Sequence, residues 1–106
     1  MNVRRRKRLE AAGWRFGTVA EFLGLSAAEE ALVEMHIALA DLLRAERLKH
    51  GLTQAEVAKR MQSSQSRVAK MEQGDPTVSM ELLLRAVLVT GASRRAVAAA
   101  LTKRVA

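Results

Sequence analysis

Helix-start signals recur along most of this chain and leave little room for any other secondary structure. A Ser or Thr precedes most of the segments whose apolar residues have helical spacing. At Thr18, Ser26 and Thr53 a Glu follows three residues later and completes a capping box. The single proline, Pro76, lies in an Asp-Pro turn. Strong helix formers dominate the composition, and no strand-period alternation is present. The pattern predicts an all-α fold.

The helix signals also predict where each helix lies. We expect helices over residues 18–25, 27–50, 54–61, 65–74, 80–90 and 94–104, with Ser64, Ser79 and Ser93 as the later N-caps. The total of 106 residues fits one small domain. We therefore expect a basic N-terminal arm and short helix over residues 1–25, in which the second half of the arm is helical. Residues 26–106 then form the main domain.

The long helix over residues 27–50 is apolar on two sides. One side holds Ala31, Leu32, Met35, Leu39, Leu42 and Leu43, and the other holds Val33, Ile37 and Ala40. A helix of this kind is usually buried on both sides. Two partners could cover the second side: another subunit, or residues 14–25 of the same chain, where Trp14 and Phe16 form an apolar latch.

Charge is distributed unevenly along the chain. The net charge is +7 overall, +5 over residues 1–15 and −4 over residues 16–40, and the two later parts are again basic. A basic half favours a polyanionic partner, whereas the acidic segment favours a protein partner or is an ordinary solvated surface. The basic run of the arm either binds DNA phosphates or the minor groove, or is a solubilising tail: Arg4, Arg5, Arg6, Lys7 and Arg8.

Several classes of site are excluded by what the sequence lacks. It has no cysteine, no apolar run long enough to span a membrane and no apolar stretch after the basic start that would make a secretory signal. Its two histidines are His36, near the buried side of the long helix, and His50, in that helix's last turn. They assemble no catalytic or metal site. We expect no enzyme, no cofactor, no metal and a cytoplasmic location.

The stretch LTQAEVAKRMQSSQSRVAKMEQG, residues 52–74, contains two short helices on either side of a Ser-rich break. In the second helix, Val68 and Met71 are the only sizeable apolar anchors, and the opposite surface carries Gln, Ser, Lys and Arg without an acidic residue. Ala58 in the first helix is small enough for the two helices to pack closely. A polar, basic helix of this kind is suited to the major groove, where base edges offer donors and acceptors.

These residues resemble the helix-turn-helix of the XRE/Cro-like family, which includes the lambdoid phage repressors and Cro proteins. The resemblance rests on Thr53, Gln54, Ala58, Val68, Met71, Glu72 and Gly74 in register. It implies a five-helix lambda-repressor-like domain with a long first core helix, an N-terminal extension and the helix-turn-helix at residues 53–74. Gln62 departs from the family pattern, which usually has Gly at this turn, and a positive φ there would cost about 1 kcal/mol.

The resemblance also implies a role for individual residues, each of which could otherwise be an ordinary surface residue. Gln54 would cap the first helix and contact a phosphate, and Ser64 would cap the second helix and donate to the DNA backbone. Base edges would be contacted by Gln65, Ser66 and Lys70, and a phosphate by Arg67. An ion pair between Arg47 and Glu72 would connect the long helix to the second helix of the motif.

The sequences flanking the motif resemble XRE-type antitoxins of the HigA kind. This implies a homodimeric repressor of its own operon that binds operator DNA, associates with the nucleoid when bound and is paired with a RelE-like RNase toxin. Two alternatives remain: a regulator that has no toxin, and a protein-interaction module that binds its partner through the acidic segment 16–40. The shortage of aromatic residues argues against RNA binding.

Overall fold

A computed structural model describes residues 3–14 and 27–103, which form six helices and no strand. The helices are α1 (Val3–Ala12), α2 (Ala27–Lys49), α3 (Gln54–Arg60), α4 (Gln65–Gln73), α5 (Met80–Val89) and α6 (Arg94–Thr102). The all-α prediction is confirmed, with α2–α6 as the five helices of the domain. The predicted helix over residues 18–25, together with Phe16 and the cap at Ser26, lies outside the described residues.

Each of the four later helices begins at the predicted cap. The hydroxyl oxygens of Thr53, Ser64, Ser79 and Ser93 accept a hydrogen bond from the backbone amide three residues on. At Thr53 the capping box is complete, because the backbone amide of Thr53 also donates to Glu56 Oε1 at 3.1 Å. These contacts satisfy amides that the helix itself leaves without a partner.

The hydrophobic core lies where α2 packs against α4, α5 and α6. Its fully buried side chains include Leu39, Leu43, Val57, Val68, Met71, Leu83 and Val87. Leu32, predicted to lie on the buried side of α2, is instead 57% exposed. Leu39, about two turns further along α2, is the first fully buried residue on this apolar side of the helix. Helix α4 packs into this core through Val68 and Met71, and its opposite side is exposed to solvent.

The second apolar side of α2 is covered within the chain. Ile37 is 1% exposed and Ala40 is fully buried. Helix α1 lies beside α2, because the guanidinium of Arg8 pairs with Asp41, and Leu9 on α1 is also buried. This helix begins at Val3, so it is longer than the half-helical arm predicted from the sequence. None of the described helices is long and apolar enough to cross a membrane.

Candidate nucleic-acid interface

Helices α3 and α4 pack directly on each other, as the small side chain of Ala58 predicts. Val57 and Ala58 on α3 and Val68 and Met71 on α4 are buried. The turn is closed by the backbone amide of Ser63, which donates to the Ala58 carbonyl at 2.8 Å. Close packing leaves α4 little freedom to move relative to α3, so its outer side chains project from a fixed frame.

Gln62 adopts the conformation that the family turn requires even though it is not a glycine. Its φ is 54°, in the left-handed region, where it is the one non-glycine among the described residues with a positive φ. The conformation costs a residue with a Cβ about 1–2 kcal/mol. Having Gln62 instead of a glycine therefore makes the turn less stable but does not change its backbone conformation.

The outer surface of α4 is polar and basic. Its exposed side chains are Gln65, Ser66, Arg67, Lys70 and Gln73. The single acidic residue of α4 is Glu72, whose side chain is only 5% exposed and is turned toward α2. The exposed side chains of α4 thus offer donors and acceptors to a polyanion, and the nearby carboxylate of Asp75, which interacts with Lys70, lies in the turn after the helix.

The structure brings Arg47 and Glu72 together. Arg47 Nε donates to Glu72 Oε2 at 2.6 Å and Arg47 Nη2 donates to Oε1 at 3.0 Å. A third donor, Nη1, reaches the carbonyl of Leu52 at 3.0 Å. Hydrogen bonding to Glu72 is the main cause that raises the pKa of Arg47. The pair joins the last turn of α4 to the end of α2.

Gln54 extends this contact to the exposed surface of α4. Its amide nitrogen donates to Glu72 Oε1 at 3.3 Å, and its amide oxygen accepts from Gln65 Nε2 at 3.2 Å. The capping role expected for Gln54 is performed by Thr53, because Gln54 is the first residue inside the helix. The result is a continuous path of hydrogen bonds from Arg47 to Gln65, which orients the first side chain of α4.

Ser64, Arg67 and Lys70 border a cleft on the other flank of α4. The cleft has a volume of about 330 Å³ and is also lined by Ser66, Thr77 and Val78. Ser64 Oγ accepts from the Arg67 amide at 3.2 Å and lies 3.2 Å from Ser66 Oγ. Two cations and several hydroxyl groups around one small cleft suit a phosphate oxygen.

Thr77 is a cleft residue that sequence reasoning missed. It lies in the turn after α4, where Asp75 Oδ1 accepts from the Thr77 hydroxyl at 2.6 Å and from its amide at 2.8 Å. These hydrogen bonds lower the pKa of Asp75, and the bond from the Thr77 hydroxyl has the larger effect. The Asp-Pro turn signal marks the position, but only the fold brings Thr77 beside Arg67 and Lys70.

The C-terminal end of α4 is held by two side chains from outside the motif. Trp14 Nε1 donates to the carbonyl of Gly74 at 2.7 Å, and His36 Nε2 lies 3.0 Å from the carbonyl of Asp75, to which it donates. The edge of one ring meets the face of the other, with centroids 5.2 Å apart. Gly74 itself has φ 80° and ends the helix in the left-handed conformation.

Each histidine has a defined contact in the structure. Burial is the main cause that lowers the pKa of His36, and its ring packs between Trp14 and the turn after α4. His50 Nε2 lies 3.2 Å from the Glu46 carboxylate one turn earlier. Among residues 3–14 and 27–103 no three His, Asp or Glu side chains are arranged to hold a metal ion.

Comparison with known proteins gives one match. A family model described as "Helix-turn-helix domain" matches residues 38–101, more than half of the chain, from the middle of α2 to the end of α6. It includes all of the motif that resembles the XRE/Cro-like family. Neither the curated proteins nor the solved structures give a match. The chain belongs to the helix-turn-helix domain family, a family of DNA-binding proteins.

Proposed function

We propose that the protein is a sequence-specific transcriptional repressor that places α4 in the major groove of its operator. One observation carries this proposal: α4 is fixed at both ends and exposes a polar, basic surface with its single carboxylate turned inward. A groove-reading helix needs such a surface, because phosphates repel acidic side chains and base edges require donors and acceptors.

The positions of the side chains on α4 suggest which of them contact bases and which contact phosphates. Gln65, Ser66 and Lys70 contact base edges, and Lys70 is suited to the O6 and N7 acceptors of guanine. Arg67, with the hydroxyl of Ser64, contacts a phosphate from the cleft of 330 Å³. Gln54 contacts a neighbouring phosphate and orients Gln65 through their hydrogen bond of 3.2 Å. Phosphate contacts set the register, and base contacts determine the sequence.

The repressor acts as a homodimer and controls its own gene. Two copies of α4 would occupy successive major grooves about 34 Å apart, or a multiple of that distance, on a palindromic operator. A RelE-like toxin as a further partner remains a prediction from the resemblance. The chain could serve equally as a regulator without a toxin, and both forms bind DNA in the same way.

The test is fluorescence-anisotropy titration against DNA from upstream of the gene, with a scrambled duplex of the same composition and several salt concentrations. Wild type is compared with Lys70→Glu, whose altered side chain is on the exposed surface of α4. The matched control is Lys59→Glu, which makes the same charge change at an exposed position on α3. Circular dichroism verifies that each variant is folded.

We expect selective, salt-sensitive binding that Lys70→Glu abolishes and Lys59→Glu reduces only modestly. Equal affinity of the wild type for the two duplexes would refute repression of its own gene. If both variants lose the same affinity, α4 is not the reading helix. Full tolerance of Lys70→Glu would favour the protein-interaction module instead.

A further inference from the structure

Helix α1 is docked on the domain at two points. Its Arg8 pairs with Asp41 in the middle of α2. Trp14, two residues beyond the helix, reaches the carbonyl of Gly74 and the ring of His36. Between these two points the side chain of Leu9 is only 1% exposed. The basic helix therefore has a defined position on the domain rather than that of a free tail.

These contacts also establish the direction of α1. Trp14 lies beside His36 and Arg8 beside Asp41, so α1 runs antiparallel to α2. Arg4 precedes Arg8 by about one turn on α1, and Arg44 follows Asp41 by about one turn on α2. Leu48 follows Arg44 by about one further turn on the same side of α2.

Leu48 borders the surface that we propose reads DNA. It lines a shallow groove that also contains Thr53, Gln54 and Gln65. Gln54 and Gln65 are the residues that begin α3 and α4. Asp41, Arg44 and Leu48 are three and four residues apart, so one side of α2 joins this groove to the Arg8–Asp41 pair.

The exposed charges without an acidic partner near this contact are all basic. Arg4, Lys7 and Arg44 are exposed, and no carboxylate in residues 3–14 or 27–103 forms an ion pair with any of them. The nearby acids are already neutralised, because Glu10 pairs with Arg6 and Asp41 with Arg8. Exposed basic side chains that lack an acidic partner favour a polyanion.

We propose that α1 is a second DNA-contact surface, in which Arg4, Lys7 and Arg44 bind phosphates that flank the half-site read by α4. This inference rests on the proposed function, because it takes DNA as the polyanion. The contact is made to the backbone alone, so it adds affinity equally to every sequence. It differs in this respect from Lys70, whose contact discriminates between sequences.

The experiment compares the salt dependence of binding for the wild type and the double variant Arg4→Gln/Lys7→Gln. The matched control is Arg94→Gln/Arg95→Gln, which removes the same charge from exposed positions at the start of α6. Anisotropy is measured on the upstream and scrambled duplexes at five salt concentrations. The fluorescence of Trp14, the single tryptophan, verifies that α1 is still docked.

Each lost phosphate contact lowers the slope of log K against log salt by about 0.9. We expect the α1 variant to lose about 2 units of slope, with the same fold-loss of affinity on both duplexes, and the α6 variant to retain the wild-type slope. Equal slopes for the two variants would overturn the inference while leaving the proposed function intact. Failure of the wild type to select the upstream duplex would instead count against the proposed function.

Discussion

The guanidinium of Arg47 and the carboxylate of Glu72 share two hydrogen bonds, of 2.6 and 3.0 Å, at the contact between α2 and α4. Their side chains are only 12% and 5% exposed. Replacing Glu72 with Ala leaves a charged guanidinium unpaired in a nearly dry site. We expect Glu72→Ala to lower the free energy of unfolding by about 3–5 kcal/mol, measured by urea denaturation.

The exposed pair Arg85–Glu81 provides the comparison for this prediction. Its side chains are 64% and 84% exposed, and its shortest N–O distance is 3.5 Å. Because solvent screens such a pair, Glu81→Ala should change stability by less than about 1 kcal/mol. Replacing both Arg47 and Glu72 with Met should cost less than Glu72→Ala alone. Equal losses for Glu72→Ala and Glu81→Ala would show that burial does not strengthen the Arg47–Glu72 contact.

The parts of the fold that the sequence could predict are those determined by local interactions. An N-cap joins residues three apart, so Thr53, Ser64, Ser79 and Ser93 could be identified from sequence spacing, and the structure has all four. The buried side of α4 follows from two apolar residues at helical spacing. Gln62 shows the limit of local reasoning, because a residue that disfavours positive φ adopts it when the packing of α3 on α4 demands the turn.

The parts that could not be predicted depend on contacts between distant residues. Trp14 donates to a carbonyl 60 residues away, and Arg8 pairs with an acid 33 residues away. No periodicity encodes either contact. The sequence therefore left open what covers the second side of α2, and it gave no reason to place Thr77 in the cleft beside Lys70.

Gln62 is the position where a single substitution should stabilise the protein. With φ at 54°, its backbone is strained by the Cβ atom. We expect Gln62→Gly to raise the free energy of unfolding by about 0.5–1 kcal/mol, because relief of strain exceeds the entropy lost by a glycine. Ser63→Gly is the control, since Ser63 has no positive φ and should gain nothing. Equal effects of the two substitutions in urea denaturation would contradict the assignment of strain.

Ser64 allows helix capping to be separated from DNA binding. Asp caps a helix as well as Ser does, and its negative charge suits a helix N-terminus. Ser64→Asp should therefore retain the stability of the wild type, whereas Ser64→Ala should lose about 1 kcal/mol. On DNA, Ser64→Asp should weaken binding by at least tenfold, because its carboxylate would lie in the cleft with Arg67 and Lys70 and face a phosphate.

The matched control for Ser64→Asp is Ser93→Asp at the cap of α6. Ser93 accepts from the amide of Ala96 at 3.1 Å, as Ser64 does from Arg67 at 3.2 Å, but it lies outside the proposed interface. Thermal unfolding and anisotropy on the upstream duplex should separate the two. If both variants bind DNA equally well, the cleft beside α4 does not contact phosphate.

His36 should make the stability of the protein fall on acidification. Burial lowers its pKa below the ordinary 6.5, so the unfolded chain takes up the proton more readily than the folded one. The stabilisation is complete above about pH 6.5 and is lost as the pH falls toward the folded-state pKa. His36→Gln can still donate to the Asp75 carbonyl but does not titrate. Urea denaturation at pH 7.5 and 5.5 should therefore show a larger loss for the wild type than for His36→Gln. Parallel losses would assign the acid sensitivity to other groups.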